Sequence, residues 1–171
     1  GIARIYDGGL QCDTDGREET LFFAMEFVQG IPVTEYVAEK RAKLRLTGTL
    51  RLFLHICDAV AYAHRQDIIH RDLKPANILV DAEGDPRIID FGLAQLCGTT
   101  ALGNHQLSGT PAYMSPEQLG ADSQPLTPAS DIYTLGLVLC ELLTGQRPHR
   151  TNGRFSASED LFRYCPECSP E

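Results

Sequence analysis

Long apolar runs, positive charge and cysteine are all in short supply in this 171-residue chain, and each shortage excludes a class of function. No run approaches the roughly eighteen apolar residues that a bilayer-crossing helix needs, so no membrane segment is expected within the chain. Fifteen Lys and Arg stand against twenty-three Asp and Glu, a net charge of −8. An acidic chain lacks the field that gathers phosphate backbones or anionic headgroups, so no nucleic-acid partner is expected. Six cysteines are too few for a disulfide scaffold at this length. Cys57 and Cys140 fall in apolar helical patterns, where a free thiol behaves as a small core residue. Cys165-Pro-Glu-Cys168 has the spacing of half a zinc ribbon or a redox pair, but no second Cys/His pair follows it, and it reads as tail. No signal peptide opens the chain, and because it begins at Gly1 rather than Met, a piece of a longer protein is expected.

What is present is ordinary globular material, 43% hydrophobic and 22% charged, in one domain by length. Residues 2–6 are short and β-like, and 21–28 (Leu-Phe-Phe-Ala-Met-Glu-Phe-Val) make a stronger strand. Asp7, Gly8, Gly9 and residues 13–16 supply turns between them. Gly30 and Pro32 stop the second strand, and a short helix is expected at 33–41. Thr47 is placed as the N-cap of a longer helix with one face made by Leu50, Phe53, Leu54, Cys57, Val60, Ala61 and His64. Two short β pieces, 78–80 and 87–89, flank a turn, and 95–109 is an aperiodic loop. Residues 130–144 are apolar nearly all round, which predicts a centrally buried helix, with Gly145 as its C-cap.

The chemistry is concentrated in His70-Arg71-Asp72-Leu73-Lys74-Pro75-Ala76-Asn77 and, eighteen residues past Asp72, Asp90-Phe91-Gly92. Each alone has a bland meaning, a surface charge cluster or a turn. Together they resemble the catalytic loop and metal-binding motif of eukaryotic-type protein kinases. Gly109-Thr110-Pro111-Ala112-Tyr113-Met114-Ser115-Pro116-Glu117 resembles that family's substrate-side loop ending in A-P-E, with Ser in place of Ala. Ser130-Asp131-Ile132-Tyr133-Thr134-Leu135-Gly136 resembles its central helix. Four motifs in order make the match specific over about residues 2–146, and the phrasing is similar to bacterial serine/threonine kinases in particular.

The resemblance implies an α+β, bilobal fold, represented mostly by the helical C-terminal lobe with the last strands of the N-terminal lobe. On this reading 1–28 ends the N-lobe and forms the linker, 29–149 is the C-lobe, and 150–171 is a divergent tail. It implies an ATP- and Mg2+-dependent transfer of phosphoryl groups to Ser and Thr hydroxyls of protein substrates, in signal transduction. Phosphoryl transfer is mostly positioning and charge neutralisation. Asp72 is therefore the candidate for orienting the hydroxyl, Lys74 for neutralising the transferring phosphate, and Asn77 and Asp90 for holding the metal with hard oxygens. Met25, Glu26 and Val28 would border and hydrogen-bond the adenine, with Leu79 beneath it. His70 and Phe91 are read as structural, and Asp131 as holding the catalytic loop's backbone. Arg71 would pair with a phosphate on Thr99, Thr100 or Ser108, through self-association and autophosphorylation. The kinase domain is expected in the cytoplasm, whether or not the parent protein is membrane-anchored.

Parts of the pattern are missing. Gly8-Gly9 lacks the G-x-G-x-x-G spacing of a phosphate-covering loop, and no lysine precedes Lys40, so the family's strand lysine cannot be assigned. The Arg that normally pairs with the residue matching Glu117 is not recognisable after Gln146. The alternative is a non-catalytic pseudokinase or docking module, against which intact Asp72, Asn77 and Asp90 argue. The 171 residues alone are expected to be inactive.

Overall fold

The computed structural model describes residues 1–12, 19–90, 110–120, 125–151 and 154–155. Strand β1 (Ile5–Cys12) runs antiparallel to β2 (Glu19–Met25), with Gly8 opposite Phe23 and Gly9 opposite Phe22. The sequence places Asp7, Gly8 and Gly9 in a turn, whereas the structure places them inside β1. Gly8 suits its aromatic partner: a Cβ there would lie 2.8 Å from the Phe23 ring. The register shifts between Ile5 and Asp7, a bulge that absorbs one residue. β2 ends at Met25, earlier than the expected residue 28.

A second sheet has the order β3 (Ile31–Pro32), β4 (Ile78–Val80), β5 (Pro86–Ile88), all antiparallel. Pro32 lies on an edge strand, where a missing N–H is tolerated. The β4–β5 turn closes through Asp81, whose carboxylate accepts the Asp85 N–H at 2.8 Å. β5 begins one residue before its expected position. Residues 1–3 run beside it, with the Ala3 N–H donating to the Ile88 carbonyl at 2.9 Å.

Helix α1 (Val33–His64) is two helical runs broken at Arg45 (φ 53, ψ −176). The break lies two residues before Thr47, so Thr47 belongs to the second run rather than capping it. The buried face there is Thr49, Leu52, Ile56, Ala59, Val60 and Ala63. Of the face expected from periodicity only Val60 is fully buried, while Leu50 and Leu54 are exposed. Apolar residues fill two adjacent stripes of this helix, and spacing alone does not say which one meets a neighbour.

Helix α2 (Pro128–Thr144) starts two residues earlier than expected, at a reciprocal cap. The Thr127 hydroxyl accepts from the Ala129 N–H at 3.3 Å, and the Thr127 N–H donates to Ser130 Oγ at 3.4 Å. Gly145 ends it in the left-handed region (φ 70), donating its N–H to the Glu141 carbonyl at 2.7 Å. The expected all-round burial fails at Ile132, which is 61% exposed, although Leu135, Leu137, Val138, Leu142 and Leu143 are buried. α1 packs on α2. Ile56 and Val60, Val138 and Leu142, and Ile78, Val80 and Ile88 share one core with Leu73, which anchors the segment between α1 and β4.

Strands β6 (Arg150–Thr151) and β7 (Arg154–Phe155) pair in a short hairpin. Small antiparallel sheets beside two helices make the α+β arrangement expected. Among the described residues no helix is long and apolar enough to cross a membrane. Cys57 and Cys140 are free and partly buried, and burial pushes both thiols up in pKa, as suits packing rather than reactivity. Cys165 and Cys168 lie outside the described residues, as do Phe91, Gly92, Thr99, Thr100 and Ser108.

Candidate active site

The segment joining α1 to β4 is held from below by one buried carboxylate. Asp131, in the first turn of α2, accepts the His70 N–H and lies against His64 Nε2 through Oδ2, both at 2.8 Å. Its Oδ1 accepts the Arg71 N–H at 3.0 Å. These bonds offset the desolvation that an ionised side chain suffers in the core, and they agree with the backbone-holding role expected of Asp131. The tie from His64 has no signal in the sequence beyond a histidine near a helix end.

His70 is fully buried. Its Nδ1 faces the Asp72 N–H at 3.3 Å, and its Nε2 faces the Ile89 carbonyl at 3.2 Å. A backbone N–H only donates and a carbonyl only accepts, so the ring is neutral with its proton on Nε2. Burial lowers its pKa, opposed by the charge of Asp131. The ring thereby joins the segment carrying Asp72 to the one carrying Asp90.

Asp72, Lys74 and Asn77 meet on one carboxylate. Lys74 Nζ lies 2.6 Å from Asp72 Oδ2, and Asn77 Nδ2 lies 3.3 Å from the same oxygen and 2.9 Å from the Asp72 carbonyl. A single 3-10 turn, Pro75–Asn77, folds Asn77 back, with its N–H on the Lys74 carbonyl at 2.9 Å. Oδ2 is thus engaged, and Oδ1, with no partner among the described residues, is the oxygen available to a ligand hydroxyl. Asp90 follows directly: the Ile89 N–H donates to the Asn77 carbonyl at 2.9 Å, and Asp90 itself takes a left-handed conformation (φ 59).

The donor chemistry of Asn77 and Asp90 fits a small hard cation. Asn77 turns its amide nitrogen to Asp72, which leaves Oδ1 without a partner among the described residues. The Asp90 carboxylate accepts no hydrogen bond from the described residues. Among those residues no three His, Cys, Asp or Glu side chains cluster as a ligand set, so the pair would rely on ligand oxygens to complete coordination.

On the other side of β4, Leu79 is partly buried and pairs across the sheet with Arg87. Arg87 Nη2 donates to Glu26 Oε1 at 2.5 Å, and Glu26 Oε2 accepts the Arg4 N–H at 3.1 Å. The Glu26 N–H is engaged by the Arg4 carbonyl at 2.8 Å, so its carbonyl is the backbone group it can offer a base. Met25 and Val28 are partly buried, while Phe27 between them is 90% exposed.

Segment 110–120 is tied to α2 by three hydrogen bonds. The Tyr113 hydroxyl donates to Glu141 Oε2 at 2.5 Å, and Thr134 Oγ1 donates to the Tyr113 carbonyl at 2.9 Å. Burial raises the pKa of both Tyr113 and Glu141. Ser130 Oγ donates to Glu117 Oε1 at 2.6 Å, a bond that lowers the Glu117 pKa. Sequence reasoning passed over Glu141, although a lone carboxylate inside an apolar helix is the signal that would have found it.

This geometry agrees with comparison to known proteins. The model of the protein kinase domain matches residues 10–165. The chain belongs to the protein kinase domain family. It is 39% identical over 148 residues to the serine/threonine-protein kinase PrkC of Bacillus subtilis (strain 168), covering 86% of this chain and 22% of that protein. It is 39% identical over 132 residues to the probable serine/threonine-protein kinase PknB of Lactococcus lactis, covering 77% and 21%. To the serine/threonine-protein kinase PknA of Mycobacterium tuberculosis (strain H37Rv) it is 34% identical over 172 residues, covering 99% and 39%. The kinase chain thus spans between about a fifth and two fifths of the length of these bacterial relatives.

Proposed function

We propose that this chain is the catalytic core of an ATP- and Mg2+-dependent protein serine/threonine kinase, with residues 1–28 as the end of the smaller lobe and linker, 29–149 as the larger lobe and 150–171 as a tail. The observation that carries the reading is the convergence of Lys74 and Asn77 on the Asp72 carboxylate, with the Asn77 carbonyl tied to the residue before Asp90. Asp72 orients the Ser or Thr hydroxyl and accepts its proton through Oδ1. Lys74 balances the negative charge that gathers beside Asp72 as the phosphoryl group arrives. Asn77 and Asp90 would hold the metal, which would neutralise phosphate charge when bound. The Glu26 carbonyl and Val28 N–H hydrogen-bond the adenine, bordered by Met25 and Leu79.

Arg71 supports a regulatory role for residues 95–109. Its Nε is buried with no partner among the described residues, and a phosphate on Thr99, Thr100 or Ser108, placed by a second copy of the kinase, would supply one. The domain acts in the cytoplasm, where its phosphoryl donor is found. The chain by itself is inactive, because it encodes neither a Gly-rich cover nor a strand lysine for the phosphates. By their resemblance to serine/threonine kinases, Lys74 and Thr110, the latter assigned to the neighbourhood of the acceptor hydroxyl, favour Ser and Thr over Tyr as acceptors. Radiolabel transfer from ATP to a peptide array by the complete protein tests this reading: label on Ser and Thr peptides supports it, whereas tyrosine preference or no transfer overturns it, the latter in favour of a pseudokinase.

A further inference from the structure

Arg71 precedes Asp72 directly and adopts φ 69, a left-handed conformation unfavourable for a residue with a side chain. Its backbone is held on both sides. The N–H donates to Asp131, and the carbonyl accepts Gln118 Nε2 at 2.5 Å, from a residue in segment 110–120. The Gln118 amide has only one orientation available. The N–H of Ser115 and its hydroxyl both reach the same amide oxygen, at 3.0 and 3.2 Å. Because a backbone N–H only donates, the atom it meets is Oε1, and the atom facing Arg71 must be the NH2 group. Ser115 is fully buried, and it stands where the A-P-E resemblance expects alanine, which would keep only one of these two anchors.

The Arg71 carbonyl and the Asp72 N–H belong to one peptide unit, and that N–H faces His70 Nδ1 at 3.3 Å. Gln118 and His70 therefore fix the two ends of the same plane, and rotation of that plane would swing the Asp72 side chain. Resting on the kinase reading, we propose that Ser115 and Gln118 form a strut that sets this peptide, which makes Gln118 a positioning residue for Asp72. Gln118 touches no reacting atom and acts through the Arg71 carbonyl. The segment that borders the protein substrate and the carboxylate that receives its proton are thereby set as one unit.

The test is amide hydrogen exchange by mass spectrometry on the complete protein, in Gln118→Glu, Gln118→Met and Ser115→Ala variants. Glutamate sets an acceptor against the Arg71 carbonyl, and methionine keeps the shape without the donor. Exchange in peptides covering 70–74 should rise roughly fivefold in both Gln118 variants and less in Ser115→Ala, with protection of the α2 interior unchanged. In transfer assays Gln118→Met should lower kcat about tenfold with KM for ATP unchanged. Unaltered exchange at 70–74 would overturn the strut, whatever the protein's activity. Faster exchange with unchanged kcat would overturn the positioning role. A wild-type protein with no transfer would remove the kinase reading, while the exchange data still decide whether the strut exists. Should Gln118→Glu fail to fold, the other two variants give the same readings.

Discussion

At the scale of single residues, the proposed function separates the site into groups that act on the hydroxyl and groups that act on the nucleotide. Asp72 turns one oxygen to Lys74 and Asn77 and keeps the other open, whereas Asp90 makes no hydrogen bond with the described residues. Asp90→Ala should therefore weaken binding of Mg2+-ATP by the complete protein at least tenfold, and Asp72→Asn should leave it nearly unchanged. Titration calorimetry checks this, and equal losses in the two variants would contradict the division. His70 offers a second check. Its folded pKa lies below the ordinary 6.5 because burial disfavours the charged ring. The unfolded chain then takes up a proton that the folded chain refuses, so stability is full above about pH 6.5 and falls as the pH drops below it. NMR titration of the His70 ring should give a midpoint below 6.5, and a midpoint at or above that value would refute the neutral, buried assignment.

At the scale of elements, helix ends and short turns place the chemistry, and these were only partly legible in the sequence. Gly145 announced the end of α2, because a left-handed C-cap favours glycine. Its start was missed by two residues, since Pro128 suits the first turn of a helix and Thr127 is the cap. Thr127→Ala should destabilise the fold by about 1 kcal/mol, measured by denaturant unfolding, with no change expected in nucleotide affinity. An unchanged midpoint would show the cap to be idle. The buried face of α1 was misread for a different reason: Leu50 and Leu54 match a helical stripe as well as Leu52 and Ile56 do, and only the position of α2 decides between them. Asp72, Lys74 and Asn77 were picked out by the resemblance of their motif to a kinase catalytic loop, and one loop with one 3-10 turn brings them together. Gln118 and His64 were not picked out, because their partners lie 47 and 67 positions away.

At the scale of the whole molecule, the core places everything else. Leu73 enters the same cluster as Ile56, Val138 and Ile78, so the segment bearing Asp72 is clamped between α1, α2 and the β3–β4–β5 sheet. The hairpin β1–β2 leaves Ile5, Tyr6 and Phe22 exposed, and Phe27 stands almost fully in water beside the proposed adenine linker. On the proposed reading, an adenine docked against the described residues would be covered by the Leu79 side alone. Losing half of an apolar sandwich forfeits a few kcal/mol, at about 25 cal/mol per Å2 of buried apolar surface. On the proposed reading, the chain supplies Asp72 for proton acceptance and Asn77 and Asp90 for the metal, and the complete protein is needed for turnover. The measurement closest to this claim is transfer of γ-phosphoryl label from ATP to a serine peptide. It compares the complete protein, its Asp72→Asn variant and the 171-residue chain alone. The account predicts turnover by the complete protein, a rate lower by roughly 10²- to 10⁴-fold in the variant, and none by the isolated chain. Full activity in Asp72→Asn would contradict it.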